Sequence, residues 1–315
     1  MTGGTHSQGA FTAILFEPGA SPHTFDSSSE IYEYLSHDIR KHGRIIGGKG
    51  IRGTRSRFKV RHREGAAFYH GTVHMYVSPA DLVTLLPKMI GDSVSGTTFS
   101  LADELPYFGI LTDNDYGTIE YTDCMVDQWV IRSRAPQFQE AGEPDMLYMS
   151  LSIIASNTAS TSWPGTPPTL GTSAGYAPYA FQDCTGAVTI NGSTRHIEEF
   201  TLAGNNFLYA KYTNALTPHS IRPRDRQIGL TCRVPWNSTN ADLYDMSAAG
   251  AAASIAFTNG TVSTTFSFAN MHVPAHGPAP ERGKTQVDLL LEGICTATGT
   301  GNSSRELQIT NDSTP

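Results

Sequence analysis

The chain has 315 residues, 39% of them hydrophobic, and a formal net charge of −7. That length allows two domains with cores of their own, no apolar run approaches the ~18 residues that span a bilayer, and net acidity argues against a general nucleic-acid binder. Thirty Gly, eighteen Pro and many Ser and Thr point to a mainly β protein, strands joined by turns.

Residues 1–25 carry no Lys or Arg ahead of the short apolar stretch Ala10 to Phe16, so they are not expected to act as a secretory signal. Ser28 or Ser29, as a cap before Glu30, Ile31, Tyr32, Tyr34, Leu35 and Ile39, predicts a short helix ending at Gly43. Ile45 to Phe68 is punctuated by glycine and reads as a long hairpin or arm. Charge is sorted around it. Residues 40–63 hold ten basic residues and no acid, whereas residues 65–157 hold twelve acids against Lys88, Arg132 and Arg134. Such segregation suggests contact with a complementary surface.

Gly71 to Gly91 then sets out a unit that recurs. Strand Thr72 to Val77 is followed by Ser78-Pro79, the helix Ala80 to Leu86 and the stop Gly91; its echo is strand Gly229 to Val234, Pro235-Trp236-Asn237, the helix Ala241 to Met246 and Gly250. Arginine-rich segments lead into both, with Arg52, Arg55 and Arg57 before the first and Arg222, Arg224 and Arg226 before the second. Strands follow both: Thr97 to Phe99, Gly109 to Leu111, Thr118 to Val130 and Met146 to Ala155 in one case, Ala253 to Phe257, Val262 to Val273 and Thr285 to Thr298 in the other. A fixed order used twice about 150 residues apart is the mark of a duplicated supersecondary plan. Between the copies, residues 159–178 are rich in Ser, Thr, Gly and Pro and read as a linker. Beyond it, Ala187 to Ile190, Asn191-Gly192 and Ile197 to Leu202 carry the signature of a tight hairpin. Arg305 to Thr310 is the last predicted strand.

Motifs that resemble reactive sites fail on inspection. Gly43 to Gly50 has phosphate-loop spacing, but Gly50 stands where a Ser or Thr must hold magnesium. Asp113-Asn114-Asp115-Tyr116-Gly117 opens like a calcium loop, yet its twelfth position is Cys124 rather than Glu, so it reads as a hairpin turn. His70 and His74 lie on a strand, roughly 13 Å apart, too far to share a metal. Cys124, Cys184, Cys232 and Cys295 are expected as buried free thiols. Sequons at Asn191, Asn237, Asn259, Asn302 and Asn311 read as turn chemistry. His272 and His276 flank Pro274 without a nucleophile beside them. No enzyme, cofactor or metal is expected.

The second half resembles the tail tube proteins of long-tailed bacteriophages. The resemblance lies in Val188 to Ser193, Ile197 to Leu202, Ala203-Gly204-Asn205-Asn206, Pro223 to Thr231, the Ala241 to Met246 helix and Gly283 to Leu289. It extends from about residue 180 to the end and is looser in the first half. It implies two tandem tail-tube-type β-sandwich or barrel domains, each with a short flanking α-helix: residues 1–158 with the basic arm 40–63, and residues 179–315. The implied role is a structural virion protein of a siphovirus-type tail, assembled in the host cytoplasm without membrane insertion. Stacked rings of three chains, pseudo-hexameric, would conduct DNA without binding it. Further implied partners are a tape measure protein in the lumen and the tail terminator and tail-tip proteins. Alternating strands suit a sheet with one wet face, and the acidity of the chain suggests an anionic wall that repels phosphates. Ring-stacking candidates are Arg52, Arg55, Arg57, Lys59, Arg222, Arg224 and Arg226, the arm of one ring meeting acids of the next. The competing reading is a carbohydrate-binding sandwich of a phage fibre or surface protein, with Trp129, Trp163 and Trp236 as stacking platforms.

Overall fold

The computed structural model describes residues 13–47, 62–91, 94–95, 97–113, 117–135, 146–164, 177–245, 250–273, 278–279, 288–299 and 305–312. Strand periodicity dominates it. In the first half, β1 (Ala13–Pro18) pairs with β2 (Glu30–Tyr32), while β3 (Ser36–His37) and β4 (Arg40–Gly47) both lie along β5 (His62–Tyr76). Helix α1 (Pro79–Ile90) follows, then β6 (Val94–Ser95), β7 (Thr98–Ser100), β8 (Phe108–Asp113), β9 (Thr118–Arg134), β10 (Tyr148–Ala155) and β11 (Asn157–Ser160). The second half holds β12 (Val188–Ile190), β13 (Ser193–Thr194), β14 (Glu199–Asn205), β15 (Tyr209–Lys211), β16 (Ser220–Arg222) and β17 (Gln227–Pro235). After a 3-10 segment, Ser238–Asp245, come β18 (Ala251–Asn259), β19 (Val262–His272), β20 (Pro278–Ala279), β21 (Asp288–Thr296) and β22 (Gln308–Asp312).

The pairing pattern repeats. In the first half β5 pairs with β10, β10 with β9, and β9 with both β8 and β11. In the second, β17 pairs with β21, β21 with β19, and β19 with both β18 and β22. Strands β3 and β4 flank β5 as β14 flanks β17. The halves meet edge to edge, because β14 also pairs with β9, Leu202 opposite Ile131. The result is a mainly β, antiparallel architecture without a closed barrel.

Alternation drives this arrangement. Val73 and Met75 on β5, Leu151 and Ile153 on β10, Leu202 on β14, Leu230 on β17 and Leu291 on β21 all point to one side and are buried. They join a core running through both halves. Trp129 lies within it, fully buried, so it offers no sugar-stacking platform, and Trp236 packs at its edge. All four cysteines are buried and free, and burial pushes the Cys232 and Cys295 thiols up to about 12. Helix α1 is held at both ends by the second half: Asn311 Nδ2 donates to the Pro79 carbonyl and Asn206 Nδ2 to that of Met89.

Several sequence expectations are corrected. The helix expected to end at Gly43 is instead β2, β3 and the start of β4. Its apolar positions do not share a buried face, since Leu35 is 49% exposed, and β1 offers Glu30 to Tyr32 a ladder. Ser28 and Ser29 close a turn at Asp26 rather than cap a helix. Where a helix was expected over Ala241 to Met246, Ser238–Asp245 is a 3-10 segment, because Asn237 Oδ1 accepts from the backbone of Thr239 and Asn240, and Asn240 reaches back to the Pro235 carbonyl; Met246 lies outside the described residues. Asn311 lies in a strand and not in a turn. The linker expected over residues 159–178 begins inside β11, which pairs with β9, and residues 165–176 lie outside the described residues. The Asn191-Gly192 turn is found as expected, both residues having positive φ, 54° and 71°, as a two-residue type I′ loop requires; its return strand, however, is β13, while the expected partner Ile197 to Leu202 leads into β14, which pairs with β9 and β17 instead.

Candidate assembly surfaces

Six adjacent antiparallel strands, β5, β10, β9, β14, β17 and β21, form one layer with two unlike faces. One face is the core. Register places the other in rows that cross both halves. One row runs Tyr76, Tyr148, Arg132, Thr201, Thr231 and Glu292; the next runs His74, Ser150, Val130, Ala203, Gly229 and Ile294. A further row runs Arg134, Glu199, Arg233 and Leu290. Every residue in these rows is half-buried or exposed. The face is therefore wet and rich in hydroxyls, as the solvated side of an antiparallel sheet can be.

Its charges are arranged among themselves. Arg233 lies 3.5 Å from Glu199 and 3.6 Å from Asp288, and the Arg132 guanidinium sits 4.8 Å from the centre of the Tyr148 ring. His74 shares a hydrogen bond with the Tyr148 hydroxyl, and His70 one with Ser152. The two histidines thus bond to different partners on β10, in keeping with their separation along β5.

The β4–β5 hairpin forms a second surface. Consecutive strand residues point to opposite sides, yet Ile45 is 73% exposed and Ile46 56%, so this part of the hairpin stands clear of the body. Lys41 and Glu64 pair across it in the open. Residues 43–47 of the phosphate-loop lookalike belong to this strand. Arg52, Arg55, Arg57 and Lys59 lie outside the described residues.

The other arginine candidates are separated by the fold. Arg226 donates to the Ala102 carbonyl at 2.8 Å and reaches Glu306 at 3.4 Å, tying the lead-in of β17 to the first half and to the C-terminal segment. Arg224 lies over the Tyr209 ring at 3.9 Å, and Arg222 ends the small β15–β16 sheet; both are exposed. A cleft of about 260 Å³ lies between Asp103, Asn206, Arg224, Arg226 and Glu306. Sequence reasoning did not single out the wet-face residues Arg132, Arg134, Glu199 and Arg233. The signal was present in the period-two alternation of β9, β14 and β17.

A two-faced sheet built from a repeated strand plan, with an arm standing free, is the form of an assembling structural protein. The family model for phage tail tube protein matches residues 49–309. The chain belongs to that family. It is a structural component of a bacteriophage virion, and the family is not one of enzymes. No curated protein matches the chain. Among the described residues no helix is long and apolar enough to cross a membrane.

Proposed function

We propose that three of these chains close into a ring of six repeated units around a water-filled lumen, and that such rings stack into the conduit for DNA ejection from a siphovirus-type tail. The observation that carries this reading is the β9–β14 junction, where two equivalent strand sets meet edge to edge within one layer. In the first unit β3 and β4 hold the place of β14, and among the described residues β4 pairs only with β5. A neighbouring chain's second unit would complete that edge as β9 completes the edge of β14. Repeating such a heterologous contact closes a ring and removes the exposed edge, a hazard for uncontrolled pairing. The wet face of the six-strand layer would then line the lumen.

In this reading the chain divides into residues 1–158 and 179–315, joined by 159–178. Assembly takes place in the host cytoplasm, around a tape measure protein, between a tip complex and a terminator. Electron microscopy of the concentrated protein, alone and with its tape measure partner, tests it. Rings of three chains are expected. Monomers under all conditions would overturn assembly, and rings of six chains would overturn the tandem-unit reading.

A further inference from the structure

We propose that Glu199, Asp288 and Glu292 neutralise the arginines of the wet face, so that a double-stranded polyanion passes along it without being held. This rests on the tube reading above. Arg132 and Arg134 on β9 and Arg233 on β17 flank the single strand β14, and adjacent strands lie about 4.8 Å apart. The three cations therefore sit within roughly one to two Debye lengths of each other at physiological salt. Left alone, such a patch would bind phosphate, because each guanidinium can engage it in a bidentate fork and release counterions on doing so.

The carboxylates prevent this by position. Glu199 stands on β14 directly between Arg134 and Arg233 in register, Asp288 approaches Arg233 from β21, and Glu292 lies on the same face of β21 two residues beyond Leu290, the register partner of Arg233. At 3.5 and 3.6 Å these are Coulombic contacts rather than short hydrogen bonds, and they cancel charge on an arginine whose Nε is already buried, beside an Asp288 side chain only 11% exposed. Arg132 is drawn down over the Tyr148 ring instead of projecting freely. Along these rows each described arginine thus has a carboxylate or a ring beside it, where the net acidity of the chain had suggested an anionic wall. Non-adhesion comes from pairing, not from repulsion.

The test uses assembled rings or tubes of the wild type and of the double variant Glu199→Gln/Asp288→Asn. Each is mixed with labelled linear duplex DNA and with closed circular duplex, which has no end to thread, across a salt series. Glu104→Gln, an exposed acid away from this face, controls for loss of charge in general. The double variant should retain linear duplex roughly tenfold better than wild type at low salt, with a salt slope steeper by about 1 to 2. Circular duplex and the control should show no gain.

Equal retention of linear duplex by variant and wild type would overturn the proposal. So would equal gain for circular and linear duplex, since the arginines would then face outward. Failure of the wild type to form rings would instead overturn the tube reading, and this inference with it. If the double variant alone does not assemble, the exposed Glu292→Gln carries the same test with a smaller expected gain.

Discussion

Trp129 sets the identity of its neighbour across the ladder. It is paired with Gly204, where a Cβ would come within 2.2 Å of the indole Cε2, so β14 can lie beside β9 only with glycine at that position. Two residues on, Asn206 is buried and gives both amide hydrogens to carbonyls, those of Met89 and Val126. The Gly204-Asn205-Asn206 stretch, visible in the sequence as a family-like pattern, is thereby explained as the fastener between halves. Asp81, in the first turn of α1, shows a different kind of constraint. Burial, with Glu33 adding to it, raises its carboxyl from 3.8 to about 6. Between those values the folded chain binds the proton more readily than the unfolded one, so stability falls as pH rises through that window, and the cost is complete above it. Asp81→Asn should stabilise the protein by about 1 to 2 kcal/mol near pH 8, with the gain shrinking toward zero near pH 4. Urea denaturation at the two pH values checks this.

The two predicted helices differ because their surroundings do. Segment Pro79–Ile90 has Ser78 as its cap, proline at its start and Leu82, Leu85, Leu86 and Met89 on one buried face, so local and tertiary preferences agree. Within Ser238–Asp245, Asn240 and Leu243 are buried while Ser238, Thr239, Ala241, Asp242 and Tyr244 are exposed, and the segment is held from outside by Arg195, itself 3% exposed. Its guanidinium donates to the Thr239 carbonyl, to Asn240 Oδ1 at 3.1 Å and to Asp242 at 2.6 Å, while Nε reaches the Ile190 carbonyl. The β12–β13 hairpin thus clamps the 3-10 segment. Arg195→Ala should cost about 2 to 4 kcal/mol, because buried acceptors lose their donors together. Hydrogen exchange should show protection lost first across residues 238–245. Global loss without that local signature would argue against the clamp.

At the scale of the molecule, the first unit carries a basic arm, residues 40–63, ahead of its helix. The described part of the arm, around Ile45 and Ile46, stands free of the body; Arg52, Arg55, Arg57 and Lys59 follow it in the sequence. Our reading assigns it to the contact between stacked rings, basic arm on acidic neighbour, with Arg suited to bidentate pairing with carboxylates. Arg226, held within the chain, is expected to act there only by positioning β17. Reversal of Arg52, Arg55 and Arg57 to Glu should leave folded single rings that do not stack, and raised salt should shorten wild-type tubes through screening. Normal tube lengths from the reversed variant, measured by microscopy, would remove the arm from stacking.

By itself the sequence determined the mainly β class, the repeated strand plan, helix α1 and the Asn191-Gly192 turn, though not that turn's return strand, because each rests on short-range causes: period-two alternation, caps and turn conformations. It also carried the family resemblance, in the order of strands rather than in any single residue. Only the tertiary structure decided that Glu30 to Tyr32 would be a strand, since that depended on β1 presenting an edge to it. Likewise the sequence could not reveal that the halves join through β9 and β14, or that Arg134, Glu199 and Arg233 meet in one row. Strand register between segments about 70 to 100 residues apart is set by cross-strand packing such as Trp129 on Gly204, and that contact exists only once the chain is folded.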